Sequence, residues 1–475
     1  MPFDTERSSD VRTPMPRAAV TFLATVALAG ALTAFPSHAT TDPVVSPKAA
    51  TTGTVYYWND VLLEVFRRAG GGPAPLARGA AMMHAGIFNA FNSAAWSRRG
   101  WAGTGYAWYG GTPQRAGLFQ NEDIAAGLVA RDLLTDVFPA QRGFVAQAFT
   151  ARHGTTTPSD AVELAGRVVS QMRGLRAGDG SANITQYQFS GEPGAWQLTG
   201  SSCGASDGVT GPVDPGWGAV RPFTMTSNTQ FRQPPPGGAT SYQALLTSAL
   251  YTAAFNEVKA LGRFNSTTRT AAQTQIAWFW ANDLNGTYKP PGQLLEHTRI
   301  VAQQRGLASG LDVARLFARV SLALADAGIA AWDMKYRTSI DLWRPQTAIQ
   351  QAQNDNNPNT VTDFTWLPLS ADRSEVRFSP CFPAWVSGHA TFGAAWAGVL
   401  RREFGDNVTM TLTTEDPHAV GVRRTFSSFT QAARENARSR IYLGVHYQFD
   451  ADGGLAAGFA LGDQVHRNFL GTLTL

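Results

Sequence analysis

Helical periodicity returns again and again along this chain, and no β-rich segment longer than a few residues interrupts it. A helix with an apolar stripe must bury that stripe against a neighbour, so the pattern points to helices packed on helices. The spacing predicts helices over 55–66, 77–95, 121–138, 140–153, 159–175, 241–262, 267–283, 294–308, 311–332, 390–400, 427–443 and 451–470. Gly70-Gly71-Gly72-Pro73-Ala74-Pro75 ends the first of them, and Ser159 caps the fifth with Glu163 close enough to support its first turn. No internal repeat stands out. The expected class is all-α, with packed helical bundles and long irregular loops.

Two of those loops are long. Residues 178–236 are full of Gly, Pro, Ser and Trp, and 354–383 form a second region. The aromatic content of the first argues for packed irregular structure covering one face rather than a solvated linker. With 475 residues, 44% of them hydrophobic, the chain can bury a large core. We expect 40–475 to form a single α-helical domain.

Residues 1–39 read as a signal peptide. Arg17 precedes an apolar run, Ala18 to Ala34, and Ser37-His38-Ala39 places small residues where a signal peptidase reads. The run is too short and alanine-rich for a stable membrane span. The mature chain is therefore expected to be secreted or periplasmic. Net charge is +4, only 16% of residues are charged, and no dense Lys/Arg block occurs, which argues against nucleic acid or an anionic membrane as partner. The two cysteines, Cys203 and Cys381, exclude a disulfide scaffold and a cysteine-rich zinc site. One bridge and two separate thiols both remain open.

Three segments carry the chemistry. In the first, Trp332-Asp333-Met334-Lys335-Tyr336 leads to Trp343-Arg344-Pro345. In the second, Pro380 and Pro383 fix an extended lead-in to Ser387-Gly388-His389, which opens an apolar helix. The third runs from Ser439-Arg440 to His446-Tyr447-Gln448-Phe449-Asp450. Taken singly, each has a plain account: Ser387 as an N-cap, Lys335 and Arg344 as solvated charges, His446 as a core histidine. Together they supply three cations, a helix start that can seat an anion, and two histidines. Arginine forks bind oxyanion oxygens in pairs, and one histidine can bond the central atom while the other moves protons.

The order Lys335…Arg344-Pro345, Ser387-Gly388-His389, Ser439-Arg440…His446 resembles the signature shared by vanadium-dependent haloperoxidases and type 2 phosphatidic acid phosphatases. Gly72 to Arg78, the Trp217-to-Pro236 loop, Thr268-Arg269-Thr270 and Ala325-Asp326-Ala327-Gly328 are also similar to bacterial haloperoxidase-like proteins, so the resemblance covers nearly all of the mature chain. It implies vanadate as cofactor, with its site in 332–452, and hydrogen peroxide, halide and an optional organic acceptor as reactants. By the same resemblance His446 is the vanadium ligand. Lys335, Arg344 and Arg440 neutralise the vanadate oxygens, and Ser387 and the Gly388 N–H donate to them. His389 is the acid/base, and Lys335 polarises the activated peroxide. Asp283 is similar to an aspartate that supports the last arginine. Trp332 and Phe382 match positions lining the halide pocket of chloroperoxidase-type members, which favours a peroxidase over the related acid phosphatase with a histidine nucleophile. A non-catalytic phosphate-binding relative is the third alternative. Oligomeric state and halide preference are not implied.

One departure matters. The family places six residues between the lysine and the arginine, whereas eight separate Lys335 from Arg344. At about 100° per residue a nine-residue step lands on the opposite helix face. Both cations can meet one anion only if the chain breaks between them, near Thr338-Ser339; failing that, Arg337 is the substitute.

Overall fold

Glycine, proline and hydroxyl residues set most helix ends in this chain. The computed structural model describes residues 53–475 apart from 112–116, 200–202, 204–210 and 309, so the expected signal peptide lies outside the described residues. Pro73 opens α2 and Ser241, Ser248, Thr270, Ser387 and Ser428 cap later helices through their side chains. In chain order the helices are α1 (Thr54–Ala69), α2 (Pro73–Arg98), α3 (Glu122–Val137), α4 (Arg142–His153), α5 (Ser159–Arg176), α6 (Tyr242–Leu246) and α7 (Ala249–Leu261). They continue with α8 (Ala271–Phe279), α9 (Lys289–Gln304), α10 (Gly310–Tyr336), α11 (Pro345–Gln350), α12 (Gly388–Phe404), α13 (Phe429–Tyr442) and α14 (Gln448–Asn468).

The all-α expectation holds, with two corrections. The span 241–262 is two helices, because Ser248 accepts the Tyr251 N–H and restarts the chain as α7. A β-hairpin also occurs: β2 (Asn407–Thr413) pairs antiparallel with β3 (Arg423–Ser428), beside the short pair β1 (Thr104–Tyr106) and β4 (Thr472–Thr474). The signal was there to read, since Val408, Met410 and Leu412 alternate with polar residues and are buried. Ser159 is the first residue of α5 rather than its cap, which is Pro158.

Helix α10 organises the site. It packs on α2, α12 and α14, and every residue from Val320 to Lys335 is buried. A helix apolar all round belongs inside a protein, and here a few polar groups, most of them paired, break the pattern. Asp326 is one: its carboxylate accepts the Phe223, Thr224 and Met225 N–H groups and pins the long loop to the helix. Asp333 is another, held bidentate by Arg232 at 2.7 Å on both arms. The loop is thus packed structure, with Trp217, Val220, Phe223 and Met225 in the core. On the other side, α12 and α14 approach closely; a Cβ on Gly458 would stand 2.3 Å from the Thr391 carbonyl oxygen. Among the described residues no helix is long and apolar enough to cross a membrane.

Candidate active site

Three chain reversals deliver the polar residues to one place. Helix α10 ends at Tyr336, with Trp332 and Lys335 in its last turns. The chain then leaves helical geometry: the Thr338 hydroxyl donates to the Met334 carbonyl at 2.8 Å, Leu342 bridges to Ala195, and Arg344 becomes the N-cap of α11. The nine-residue step from Lys335 to Arg344 therefore crosses a break, and the opposite-face problem does not arise. Arg337 stays outside, half-exposed and 3.6 Å from Asp333. The second reversal is the strap Pro383-Ala384-Trp385-Val386, after which the Ser387 hydroxyl accepts the Ala390 N–H and starts α12 with Gly388 and His389 in its first turn. The third lies between α13 and α14. Gly444 has φ +83°, and a Cβ there would stand 2.4 Å from the Gly262 carbonyl oxygen, so the turn that carries His446 back beside Arg440 requires glycine.

The histidine at the centre is oriented from behind. His446 Nδ1 is 2.9 Å from Asp450 Oδ2, which also accepts the Tyr447 N–H at 3.0 Å. A carboxylate partner requires Nδ1 to carry the proton, which leaves the Nε2 lone pair free to bond a central atom. Arg344 Nη1 lies 3.2 Å from that Nε2 and donates to the Val445 carbonyl at 2.7 Å, while its Nε donates to the Phe382 carbonyl at 2.7 Å. Its Nη2 is buried without a partner. Arg440 spends one arm on Asp283 Oδ2 at 2.7 Å, and its Nε and Nη1 are likewise buried and unpartnered. His389 Nε2 is 3.0 Å from the Ala281 carbonyl oxygen, so that nitrogen is protonated and Nδ1 is the one that can exchange a proton. Lys335 Nζ meets three carbonyls, those of Pro383, Ala384 and Val386, at 2.7, 3.3 and 2.6 Å.

Burial and crowded positive charge dominate the electrostatics. Burial first, then Arg344, Lys335 and Arg440, hold His446 well below the usual imidazole range. Burial and then Arg440 lower His389 to about 4, against the pull of Asp283 and the Ala281 carbonyl. Burial pushes Arg344 down to about 9. Burial raises Asp283, but Arg440, His389 and Lys289 outweigh it and leave the carboxyl below its ordinary value. Burial and Arg344 push Lys335 down; three carbonyl acceptors, which take all three donors of an ammonium, oppose that push. Every one of these shifts has the sign that an added anion would relieve.

A cavity of about 440 Å³ opens beside these groups. Asp283, Gly388, His389, Arg440 and His446 form its polar end, and Trp332, Phe378, Phe382 and Phe392 its apolar walls. Trp332 and Phe382 pack with ring centroids 5.1 Å apart at 45°. Cys203 and Cys381 are joined as a disulfide on the same wall, which settles the open question of their pairing in this structure. Ser387, Lys335 and Arg344 do not line the cavity: Ser387 caps α12, Lys335 lies behind the strap, and Arg344 is held behind His446 on the Phe382 and Val445 carbonyls. The residue that sequence reasoning passed over is Asp450. It stands four residues after His446 at a helix start, the spacing at which a carboxylate turns back onto an imidazole, and that signal was available.

The donor set suits vanadate. Three buried guanidinium N–H groups without partners, beside one histidine nitrogen, call for an anion with several oxygens and a central atom that accepts nitrogen. Among the described residues no three His, Cys, Asp or Glu side chains come together as they would around a bare cation.

Residues 315–473 match the family described as the VCPO second helical-bundle domain. Vanadium chloroperoxidase of Curvularia inaequalis is 32% identical over 289 residues, which is 50% of this chain and 46% of that protein; the chain spans about half the length of this curated relative. The crystal structure of the first bacterial vanadium-dependent iodoperoxidase superposes with a TM-score of 0.69 at 24% identity, covering 89% of this chain and 97% of that one. A holo-type bacterial vanadium-dependent chloroperoxidase superposes with a TM-score of 0.62 at 17% identity, covering 89% and 93%. The chain thus shares its fold with the vanadium haloperoxidases and, over residues 315–473, the sequence pattern of their second helical bundle.

Proposed function

We propose that this chain is a vanadate-dependent haloperoxidase that uses hydrogen peroxide to oxidise halide to hypohalous acid. The observation that carries the reading is the set of buried, unpartnered guanidinium nitrogens of Arg344 and Arg440 at the site where Arg344 Nη1 lies 3.2 Å from His446 Nε2. His446 Nε2, held in its tautomer by Asp450, would ligate vanadium, and Arg344 and Arg440 would bind the oxygens. When bound, vanadate supplies Lewis-acid activation of peroxide without changing its oxidation state. His389 takes a proton from the incoming peroxide and returns it, through Nδ1. Lys335 adds a fixed positive charge behind the strap. Gly388 lets oxygens come close to the first turn of α12. Trp332 and Phe382 exclude water from the reacting halide, which suits a weakly hydrated anion. Secretion into an oxidising compartment is part of this proposal; the Cys203–Cys381 bridge supports it.

A phosphatase reading deserves one test, because the same pocket can hold phosphate with His446 as nucleophile and His389 as acid. Purified protein is given orthovanadate, peroxide and chloride, bromide or iodide with an activated diketone, and the vanadium-free protein is given an aryl phosphate. Halogenation that disappears in His446→Ala supports the proposal. Phosphate release without halogenation would overturn it, and silence in both assays would leave only a binding role.

A further inference from the structure

One acidic group on the cavity wall has no part in the vanadate cradle. Asp214 lines the same cavity, on the side of Trp332, Phe382 and Cys381. Its position is fixed by main-chain bonds at Val213 and at Asp214 itself. The Val213 N–H donates to the Cys381 carbonyl at 2.9 Å, and the Val213 carbonyl accepts from Trp332 Nε1 at 3.1 Å and the Tyr336 hydroxyl at 3.2 Å. The Asp214 carbonyl in turn accepts the Trp217 N–H at 2.9 Å, and the residue itself holds φ at +50°. Its carboxyl packs on Gly72 so closely that a Cβ there would lie 2.1 Å from Oδ2. That oxygen is shut from water and receives no hydrogen bond. An acid pressed against the apolar wall where halide would lie, with no donor on one oxygen, is an unusual expense of stability for a merely structural residue.

We propose that Asp214 is a charge gate on the halide chamber: neutral, it admits halide beside Trp332 and Phe382, and ionised, it repels it. The inference rests on the haloperoxidase reading for its ligand. Burial raises the carboxyl to about 6, which places the switch inside the working range of a protein. Among the described residues, Tyr336, His389 and Asp283 are all displaced from that window. Tyr336 on α10 is pushed well above 10 by burial, and His389 on α12 is lowered to about 4. Asp283 comes from the segment before α9 and Lys289 from its first residue, and Arg440 and His446 from the polar end. The 70–73 turn and the 378–382 segment bring no titrating side chain, Cys381 being bridged. A carboxylate and a halide sharing one solvent-open chamber of this size, about 5–8 Å apart at an effective dielectric of about 50, disfavour each other by roughly three- to tenfold in binding.

The test compares wild type with Asp214→Asn, and with Asp214→Ser as a second variant should the amide destabilise the turn. KM for bromide is measured from pH 5 to pH 8 on the vanadate-loaded proteins. Wild-type KM should rise about three- to tenfold more than the variant's across that range, with kcat at saturating bromide following the same course in both. Parallel KM profiles would overturn the gate. A second readout needs no turnover: anomalous diffraction from bromide-soaked, vanadium-free crystals at pH 5 and pH 8. Bromide beside Trp332 at pH 5, lost at pH 8 in wild type and retained in Asp214→Asn, supports the gate even if halogenation fails. Equal occupancy in all four crystals, or none in any, overturns it whatever the enzyme assay shows.

Discussion

Removing Arg440 should cost the site most of its grip on an oxyanion. The Nη2 arm is spoken for by Asp283, but Nε and Nη1 are buried donors with nothing to bond. Each unmade buried hydrogen bond to a charged group is worth about 1.5–3 kcal/mol, so two satisfied by one anion contribute roughly 3–6 kcal/mol. In Arg440→Ala the anion loses both, and Asp283 is left as an uncompensated negative charge near the site. Both changes act in the same direction. The expected rise in Kd for orthovanadate is therefore at least about a hundredfold, since each 1.4 kcal/mol is tenfold. Arg440→Lys keeps the charge but cannot hold Asp283 and two oxygens together, so it should fall between, at roughly ten- to thirtyfold. Calorimetric titration of vanadium-free protein with orthovanadate, and separately with phosphate, reads this directly and does not depend on peroxide chemistry. A folded Arg440→Ala protein that binds vanadate within threefold of wild type would refute the oxyanion reading of the cavity.

Other outcomes follow from the same structure. In Asp450→Ala the His446 tautomer is no longer fixed, which should weaken vanadate about 10–100-fold, while phosphate, which needs no bond to nitrogen, should hold or gain slightly from the lost negative charge; titrations with the two anions should diverge. His84 is fully buried with neither ring nitrogen partnered, and burial lowers it to about 3. Between pH 6.5 and 3 the unfolded chain binds a proton that the native one refuses, so stability falls as pH falls, by up to about 5 kcal/mol over the window. Denaturant melts of His84→Leu should show a shallower acid loss than wild type, and an unchanged slope would count against the neutral buried imidazole. The Cys203–Cys381 bridge closes a span with a sequence separation of 178, for which chain entropy allows about 5 kcal/mol as an upper value. Reductant should lower Tm in wild type and leave Cys203→Ser/Cys381→Ser unmoved.

The sequence makes some of this site legible and hides the rest for physical reasons. Ser387-Gly388-His389 announces a helix start because proline, a capping hydroxyl and an apolar run are all local signals. Arg440 and His446 could be paired with it only through the resemblance, since the Gly444 turn that brings them together acts through space. Asp283 reaches Arg440 across a sequence distance that no pattern encodes. Main-chain acceptors are the least visible of all. The carbonyls of Pro383, Phe382 and Val445, which aim Lys335 and Arg344, belong to residues whose names carry no information about them. The β2–β3 hairpin was legible in its alternation and was hidden only by the helical run on either side.

The longer step from Lys335 to Arg344 looks harmful on a helical wheel and is harmless in space, and the reason lies in where the connection is anchored. After Tyr336 the chain docks on the long aromatic loop rather than on the site. Asp341 accepts the hydroxyls of Tyr187 and Tyr242, its carbonyl accepts the Trp196 N–H at 2.7 Å, and the Trp343 N–H donates to the Gly194 carbonyl at 2.8 Å. Those bonds deliver Arg344 to His446 independently of helix phase. Lys335 faces a different constraint. An ammonium has three donors, and three carbonyls of the strap use them, so an anion in the cavity meets Lys335 as a charge and not as a hydrogen-bond partner. Such a charge still attracts an anion across the strap. The same three bonds set the strap that ends at Ser387, and hence the first turn of α12 in which His389 sits. Lys335 thereby holds the acid/base residue in place through the backbone while biasing the cavity towards anions, and either task alone would account for a buried lysine at this position.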